Sequence, residues 1–282
     1  MLILDLNQVM ISNLMVQIGN HTNAAVDENM VRHMILNTIR SLNVKFRDEY
    51  GEMVIAADGP HCWRKTVFPY YKANRKKSQE KSELNWSSIF DCMHKIRTEL
   101  KEFFPYRVIH MEGCEADDII AVLTHEFANT DDILILSGDK DFNQLHRDNV
   151  KQFDPVRKKM ITCDDPEKYL QEHILRGDKG DGVPNVLSDS DTFVLGKRQK
   201  TLTQKKIDEL SGVGLFGKFD HALHSNYTRN AQLIDLRNTP EELKRKILAS
   251  YWEQSKKSGS KMMNYFISNR LKNLMEHMGD FT

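Results

Sequence analysis

Short apolar runs alternate with helically spaced apolar positions through the first half of the chain. Residues 2–6 (LILDL) read as a short buried strand. Over 28–49, Val31, Ile35, Ile39, Leu42 and Phe46 recur every three or four positions, which predicts an amphipathic helix. MVIAAD at 53–58 predicts a second buried strand. WSSIFDCMHKIRTEL predicts a second such helix through Ile89, Met93, Ile96 and Leu100. YRVIHM then reads as a strand, EADDIIAVLTHEF as a helix with its acids at the start, and DILILSGD as a strand. QFDP and KMITCD predict two short edge strands joined by the basic turn VRKK. This alternation predicts an α/β domain over 1–165, a mostly parallel sheet with helices on both faces. From 166 onward the strong runs are helical, as in PEELKRKILASYWEQSKK and KMMNYFISNRLKNLMEHM. Residues 180–200 are rich in turn formers and predict irregular structure. A helical C-terminal domain over 166–282 is therefore expected.

The 40 basic and 40 acidic residues cancel, which by itself argues against a nucleic-acid partner. Segregation changes that conclusion. WRKTVFPYYKANRKK carries Arg64, Lys65, Lys72, Arg75, Lys76 and Lys77 without one acid, so a basic groove can sit beside an acidic site. Cys62, Cys92, Cys114 and Cys163 form no CxxC pair, so reduced thiols and a cytoplasmic location are expected rather than zinc or disulfides. The 11 histidines show no HxH or HExxH spacing and read mostly as surface or packing residues. MLILDLNQVM lacks the basic start of a signal peptide, and no apolar run reaches the roughly 18 residues of a membrane span.

Candidate chemistry lies in eight carboxylates: Asp5, Asp58, Glu115, Asp117, Asp139, Asp141, Asp178 and Asp181. Asp5, Asp58 and Asp139 follow apolar runs, so they fall at the carboxyl ends of predicted strands, where open α/β sheets bind ligands. Glu115 and Asp117 open a predicted helix. A lone Asp at a strand end is usually a cap or turn former, and Asp118 is read that way, pointing off the other side of the helix start. Gathered acids raise one another's pKa and resist ionisation unless divalent cations neutralise them. Mg²⁺ takes oxygen ligands and keeps waters, leaving room for a phosphate. Metal-assisted phosphodiester chemistry is the expectation.

LILDLNQ, AADG, CEADDIIAVL, LSGDKDFNQL and GDKGDGVP occur in an order and spacing that resemble the 5′ nuclease (flap endonuclease-like) superfamily, with its PIN-like sheet. WRK…YYKANR and YFISNRLKNLMEHMGDF resemble its T-even phage ribonuclease H branch, a 5′→3′ exonuclease type. The resemblance implies two Mg²⁺ ions, with Mn²⁺ as a substitute. Asp5, Asp58, Glu115, Asp117 and Asp139 would hold one; Asp141, Asp178 and Asp181 the other, often through water. It also implies a basic arch at about 61–82 handling 5′ ends, with Arg64 and Lys72 near the reacting phosphate. Lys65, Arg75, Lys76 and Lys77 would bind the strand, and Tyr70 or Tyr71 would stack on a base or pack at a hinge. The family's G-x-G-x-K turn is missing after GDKGDGVP. GVGLFGK at 212–218 is only loosely similar, so duplex contacts fall to Lys197, Arg198, Lys200, Lys205 and Lys206. The implied activity is removal of RNA primers and adjacent DNA from 5′ ends, with flap cleavage. Substrates would be DNA and RNA·DNA hybrids with 5′ ends, flaps or forks. A monomer is expected, with a single-strand DNA-binding protein and a sliding clamp as partners, in the cytoplasm of a phage-infected host. A PIN-type endoribonuclease and a non-catalytic DNA-structure binder are the alternatives.

Overall fold

The structure, a computed structural model, describes residues 1–18, 27–82, 84–211, 220–254 and 259–282; the side chains of Lys76, Lys77, Ser78 and Glu80 lie outside the described part. The first half runs β1 (Leu2–Asp5), α1 (Leu6–Ile18), α2 (Glu28–Tyr50), β2 (Met53–Ala56), α3 (Arg64–Val67), α4 (Ala73–Glu80), α5 (Trp86–Phe103), β3 (Arg107–Ile109), α6 (Ala116–Phe127) and β4 (Ile133–Leu136). After the 3₁₀ turn Lys140–Leu145 come β5 (Val150–Asp154), β6 (Lys159–Ile161), α7 (Pro166–Arg176), α8 (Gln204–Ser211), α9 (His221–Ile234), α10 (Glu241–Glu253), α11 (Met262–Ser268) and α12 (Lys272–Met275).

The sheet order is β3-β2-β1-β4-β5-β6. The first five strands are parallel and β6 pairs antiparallel with β5. Only β6 is an edge of the expected hairpin, because β5 pairs with β4 on its other side. Alternation sorts the strand residues onto two faces. Leu2, Leu4, Met53, Ile55, Leu134 and Leu136 pack with α1, α2 and α5, whereas Ile3, Val54, Ala56, Ile133 and Ile135 pack with α6 and α10. Strands covered on both faces read as continuous apolar runs, which is why they were legible.

Helix α1 was not anticipated. Its buried Leu6, Val9, Met10 and Leu14 carry a helical period, but Asn7, Gln8 and Asn13 dilute it. The predicted 261–278 helix is instead α11 and α12, interrupted where Arg270 takes φ 56°. Residues 180–200 form turns and irregular chain, as expected.

The helical C-terminal part shares its core with the sheet. Phe266, Leu271, Leu274 and Phe281 join the cluster of Leu2, Leu4 and Phe104, and Phe104 packs on Phe266 and Phe281 at ring distances of 5.8 and 5.3 Å. Among the described residues no helix is long and apolar enough to cross a membrane.

Candidate metal and nucleic-acid site

Adjacent parallel strands β2, β1 and β4 end together, and that register gathers the acids. Asp5 ends β1 beside Ala56, Asp58 lies just past β2, and Asp139 just past β4. Short polar side chains aim them. Ser137 Oγ donates to Asp5 Oδ2 (3.0 Å), and Asn7 Nδ2 donates to Asp58 Oδ2 (2.9 Å). The Ala116 amide, in the first turn of α6, donates to Asp58 Oδ1 (2.8 Å). Glu115 caps α6 and Asp117 sits in its first turn, where the helix dipole favours negative charge.

Two kinds of carboxylate result. Glu115 and Asp178 bring their own cations. Burial would raise Glu115, but Lys72 and Arg64 bring it down to about 2; Lys72 Nζ lies 2.6 Å from its Oε1. Burial also works against Asp178, yet His173 and Lys140 hold it well below the usual carboxylate range. In Asp5, Asp58, Asp117 and Asp141 burial prevails instead. Burial, with the Asp58 charge behind it, pushes Asp5 up to about 7, and burial with the Asp139 charge does the same to Asp141. Burial raises Asp58 as well. It raises Asp117 well above its ordinary value against the pull of Lys72, with the charges of Asp139, Glu115 and Asp5 adding to the rise. A cavity of about 10 Å³, room for one water-sized particle, is lined by Asp117, Asp141, Asp178 and Asp181 together with Arg64 and Tyr71. Four carboxylates around such a space, two of them raised by burial, fit a hard divalent cation.

The basic segment divides. Arg64, expected at phosphate, is 2% exposed and spends its donors on Asp118 Oδ1 (2.9 Å), Glu115 Oε2 (3.2 Å) and the Leu233 carbonyl (2.9 Å). That placement leaves it no surface for a strand. Tyr71 is likewise buried rather than open to a base; its hydroxyl donates to Glu115 or Asp181, at 2.9 and 2.8 Å. Tyr70 is 40% exposed. The first half of the segment is anchored by apolar contacts: Cys62, Trp63, Phe68 and Tyr71 pack with Leu170, Ile174 and Leu233. Lys72 enters the site, Arg75 is exposed and pairs with Asp181 (2.7 Å), and Lys65 is exposed. Lys197, Arg198, Lys200, Lys205 and Lys206 are exposed, with Lys197 near Asp191 and Lys206 near Glu209. The side chains of Lys76 and Lys77, and GVGLFGK at 212–218, lie outside the described residues.

Asp118 is a cap, as read from the sequence, and more. Fully buried, it accepts the Glu115 amide (2.9 Å), the Trp63 indole N–H (3.1 Å) and the Thr239 hydroxyl (2.9 Å). Gly182 lets the Asp178–Asp181 turn meet the base of the arch. Its φ is +73°, a Cβ there would lie 3.1 Å from the Tyr70 carbonyl, and the Lys72 amide donates to the Asp181 carbonyl (2.8 Å). Sequence reading missed Asn7, Gln8, Ser137 and Lys140 as supports of the acids; Gln8 and Ser137 are short-range neighbours of Asp5 and Asp139 and were findable on that ground. It also missed His173. His173 precedes Asp178 by five residues and lies among acid groups, with the ligand atoms of Asp141, His173 and Asp178 all within 4.8 Å of one another.

Residues 2–174 match the family of the 5′–3′ exonuclease N-terminal, resolvase-like domain. The chain belongs to the 5′–3′ exonuclease family. Residues 165–281 match the C-terminal domain of T4 RNase H. Ribonuclease H of Enterobacteria phage T4 is 32% identical over 292 positions, covering 99% of this chain and 95% of the relative. Flap endonuclease Xni of Shewanella pealeana is 32% identical over 133 positions, 44% of this chain and 48% of that protein. Among solved structures, the bacteriophage T5 D15 flap endonuclease in a pseudo-enzyme-product complex with DNA and metal ions superposes with a TM-score of 0.65. It is 18% identical and covers 89% of this chain and 97% of that one, a likeness of fold. Membership in this exonuclease family bears out the resemblance and the PIN-like, mostly parallel sheet expected from the sequence.

Proposed function

We infer that the protein is a Mg²⁺-dependent 5′→3′ nuclease that removes RNA primers and adjacent DNA, with ribonuclease H and flap endonuclease activities. The observation that carries this is the convergence of Asp5, Asp58, Asp117, Asp139 and Asp141, which form no ion pair with a lysine or arginine among the described residues, where three adjacent parallel strands end. Family membership and the near full-length likeness to a phage ribonuclease H support the reaction class. They also disfavour a PIN-type endoribonuclease or a non-catalytic binder.

Asp5, Asp58, Glu115, Asp117 and Asp139 would hold one ion, and Asp141, Asp178 and Asp181 another. Divalent ions there supply an activated water and stabilise charge on the phosphodiester. The chain's own groups orient those ligands: Ser137 and Gln8 fix Asp5, and Asn7 and the α6 amide fix Asp58. Lys72, between Glu115 and Asp181, is the cation placed to meet charge developing on the phosphate. Arg75 and Lys65 offer sequence-independent attraction to the strand. Substrates would be DNA and RNA·DNA hybrids with 5′ ends, flaps or forks. The setting would be the cytoplasm of an infected bacterium, beside a single-strand DNA-binding protein and a sliding clamp.

Single-turnover cleavage of a 5′-labelled flap and of an RNA·DNA hybrid, with Mg²⁺ and with chelator, tests the reading. Cleavage from the 5′ end that stops in chelator is expected. Asp139→Asn should reduce it to below a few per cent while binding persists. Chelator-resistant cleavage, or an Asp139→Asn variant near the parent rate, would reject it.

A further inference from the structure

His173 stands outside the acids that carry the functional reading, yet it faces the same place. It lies near the end of α7 and is 6% exposed, with the Tyr169 ring edge-on at 5.7 Å. Its Nε2 lies 3.2 Å from Asp178 Oδ2, and its Nδ1 lies 3.8 Å from Asp141 Oδ1. A carboxylate such as Asp178 can only accept, so Nε2 is the donor in that contact and Nδ1 is the nitrogen turned toward Asp141. That Nδ1 has no hydrogen-bond partner, and neither does Asp141 Oδ1. Buried polar atoms are normally satisfied, and at 3.8 Å these two lie too far apart to satisfy each other. A cation between them does so.

We propose that His173 is a metal ligand, giving the Asp141–Asp178 position a mixed imidazole and carboxylate donor set that favours Mn²⁺ and Zn²⁺ over Mg²⁺. This rests on the reading of the acids as a metal site. Imidazole suits zinc and its transition-metal neighbours, whereas carboxylate and water suit magnesium. The cluster of Asp5, Asp58, Asp117 and Asp139 offers oxygen alone, so the two positions differ in character. Lys140, 2.6 Å from Asp178, is the cation an ion would displace; its side chain is 58% exposed, so the pair is weakly held.

Electron spin-echo spectroscopy of the protein loaded with about two equivalents of Mn²⁺ reads ligation without reference to turnover. The parent should show nitrogen modulation from directly bound imidazole. His173→Gln, whose amide can keep the bond to Asp178, should lose it. By calorimetry that variant should bind Zn²⁺ weaker by on the order of tenfold or more, with Mg²⁺ affinity nearly unchanged. Bound Mn²⁺ without nitrogen modulation in the parent would show that His173 only positions Asp178, and would overturn the proposal without any variant. Modulation that survives in His173→Gln would overturn it too. No Mn²⁺ bound at all would reject the underlying metal reading instead, a separate outcome.

Discussion

Adjacent residues with the same side chain do opposite jobs in this protein. Asp117 faces the acids and lacks compensation, whereas Asp118 turns inward and is satisfied by Arg64, Trp63, Thr239 and the Glu115 amide. Helical geometry explains the split, since consecutive positions lie about 100° apart. That split was legible in the sequence. The role of Arg64 was not, because a basic residue in a basic run gives no sign that it is buried. Arg64→Ala should cost about 3–5 kcal/mol, since it leaves Asp118 buried without its cation and Glu115 with Lys72 alone; urea unfolding measures it, and a change below about 1 kcal/mol would place Arg64 back among surface contacts. The raised acids set a pH dependence as well. Asp5 and Asp141 rise from an ordinary 3.8 to about 7, so the folded protein binds more protons than the unfolded chain between those values. Their contribution is then favourable at low pH and lost as pH rises through about 7. Glu115 is lowered to about 2, so its contribution is lost only as pH falls from about 4.5 toward 2. In chelator, the melting temperature should therefore fall between about pH 5 and pH 8, and millimolar Mg²⁺ should flatten the decline. A melting temperature that rises over that range in chelator would contradict the assignment.

Elements were predicted well where one period dominates and poorly where polar residues share a helix with core positions. Strands β1, β2 and β4 and helices α2, α5 and α6 fall where the apolar patterns put them. Helix α1 was missed although it begins one residue after Asp5, because its polar positions support the site rather than the core; Asn7 and Gln8 reach Asp58 and Gly138. Long-range contacts such as that of the 178–182 turn with the arch base carry no local signal at all. Gly182→Ala probes that contact. Its φ of +73° is strained for any other residue, and the methyl meets the Tyr70 carbonyl. Destabilisation of about 1–3 kcal/mol is expected, with a larger loss in cleavage rate than in substrate affinity. Equal losses in both would mean that the turn does not set the position of Lys72.

At the scale of the whole molecule, the change in pattern at residue 166 marks a change in element type without a break in the core. Phe266 and Phe281 complete the packing around Phe104 and the β1 face. Sequence periodicity cannot show which distant helix covers a sheet, so this sharing was not readable. Phe266→Ala should cost about 3–5 kcal/mol and shift a single unfolding transition. Residues 1–165 expressed alone should expose that face and fail to give a cooperative transition; a stable, cooperative fragment would show two independent domains.

The contact of Lys72 with Glu115, 2.6 Å long, acts as a stand-in partnership. On the proposed reading, a divalent ion taken up by Glu115 would compete with Lys72 and free its ammonium for an incoming phosphate. Ion and nucleic acid then recruit one another, and linkage requires the two enhancements to be equal in magnitude. Ca²⁺ should tighten flap binding to the parent, and the flap should tighten Ca²⁺ binding by the same factor. Lys72→Ala should leave each ligand bound but shrink that mutual factor to the share the ion's own attraction for the phosphate supplies, which would make the lysine a messenger between them.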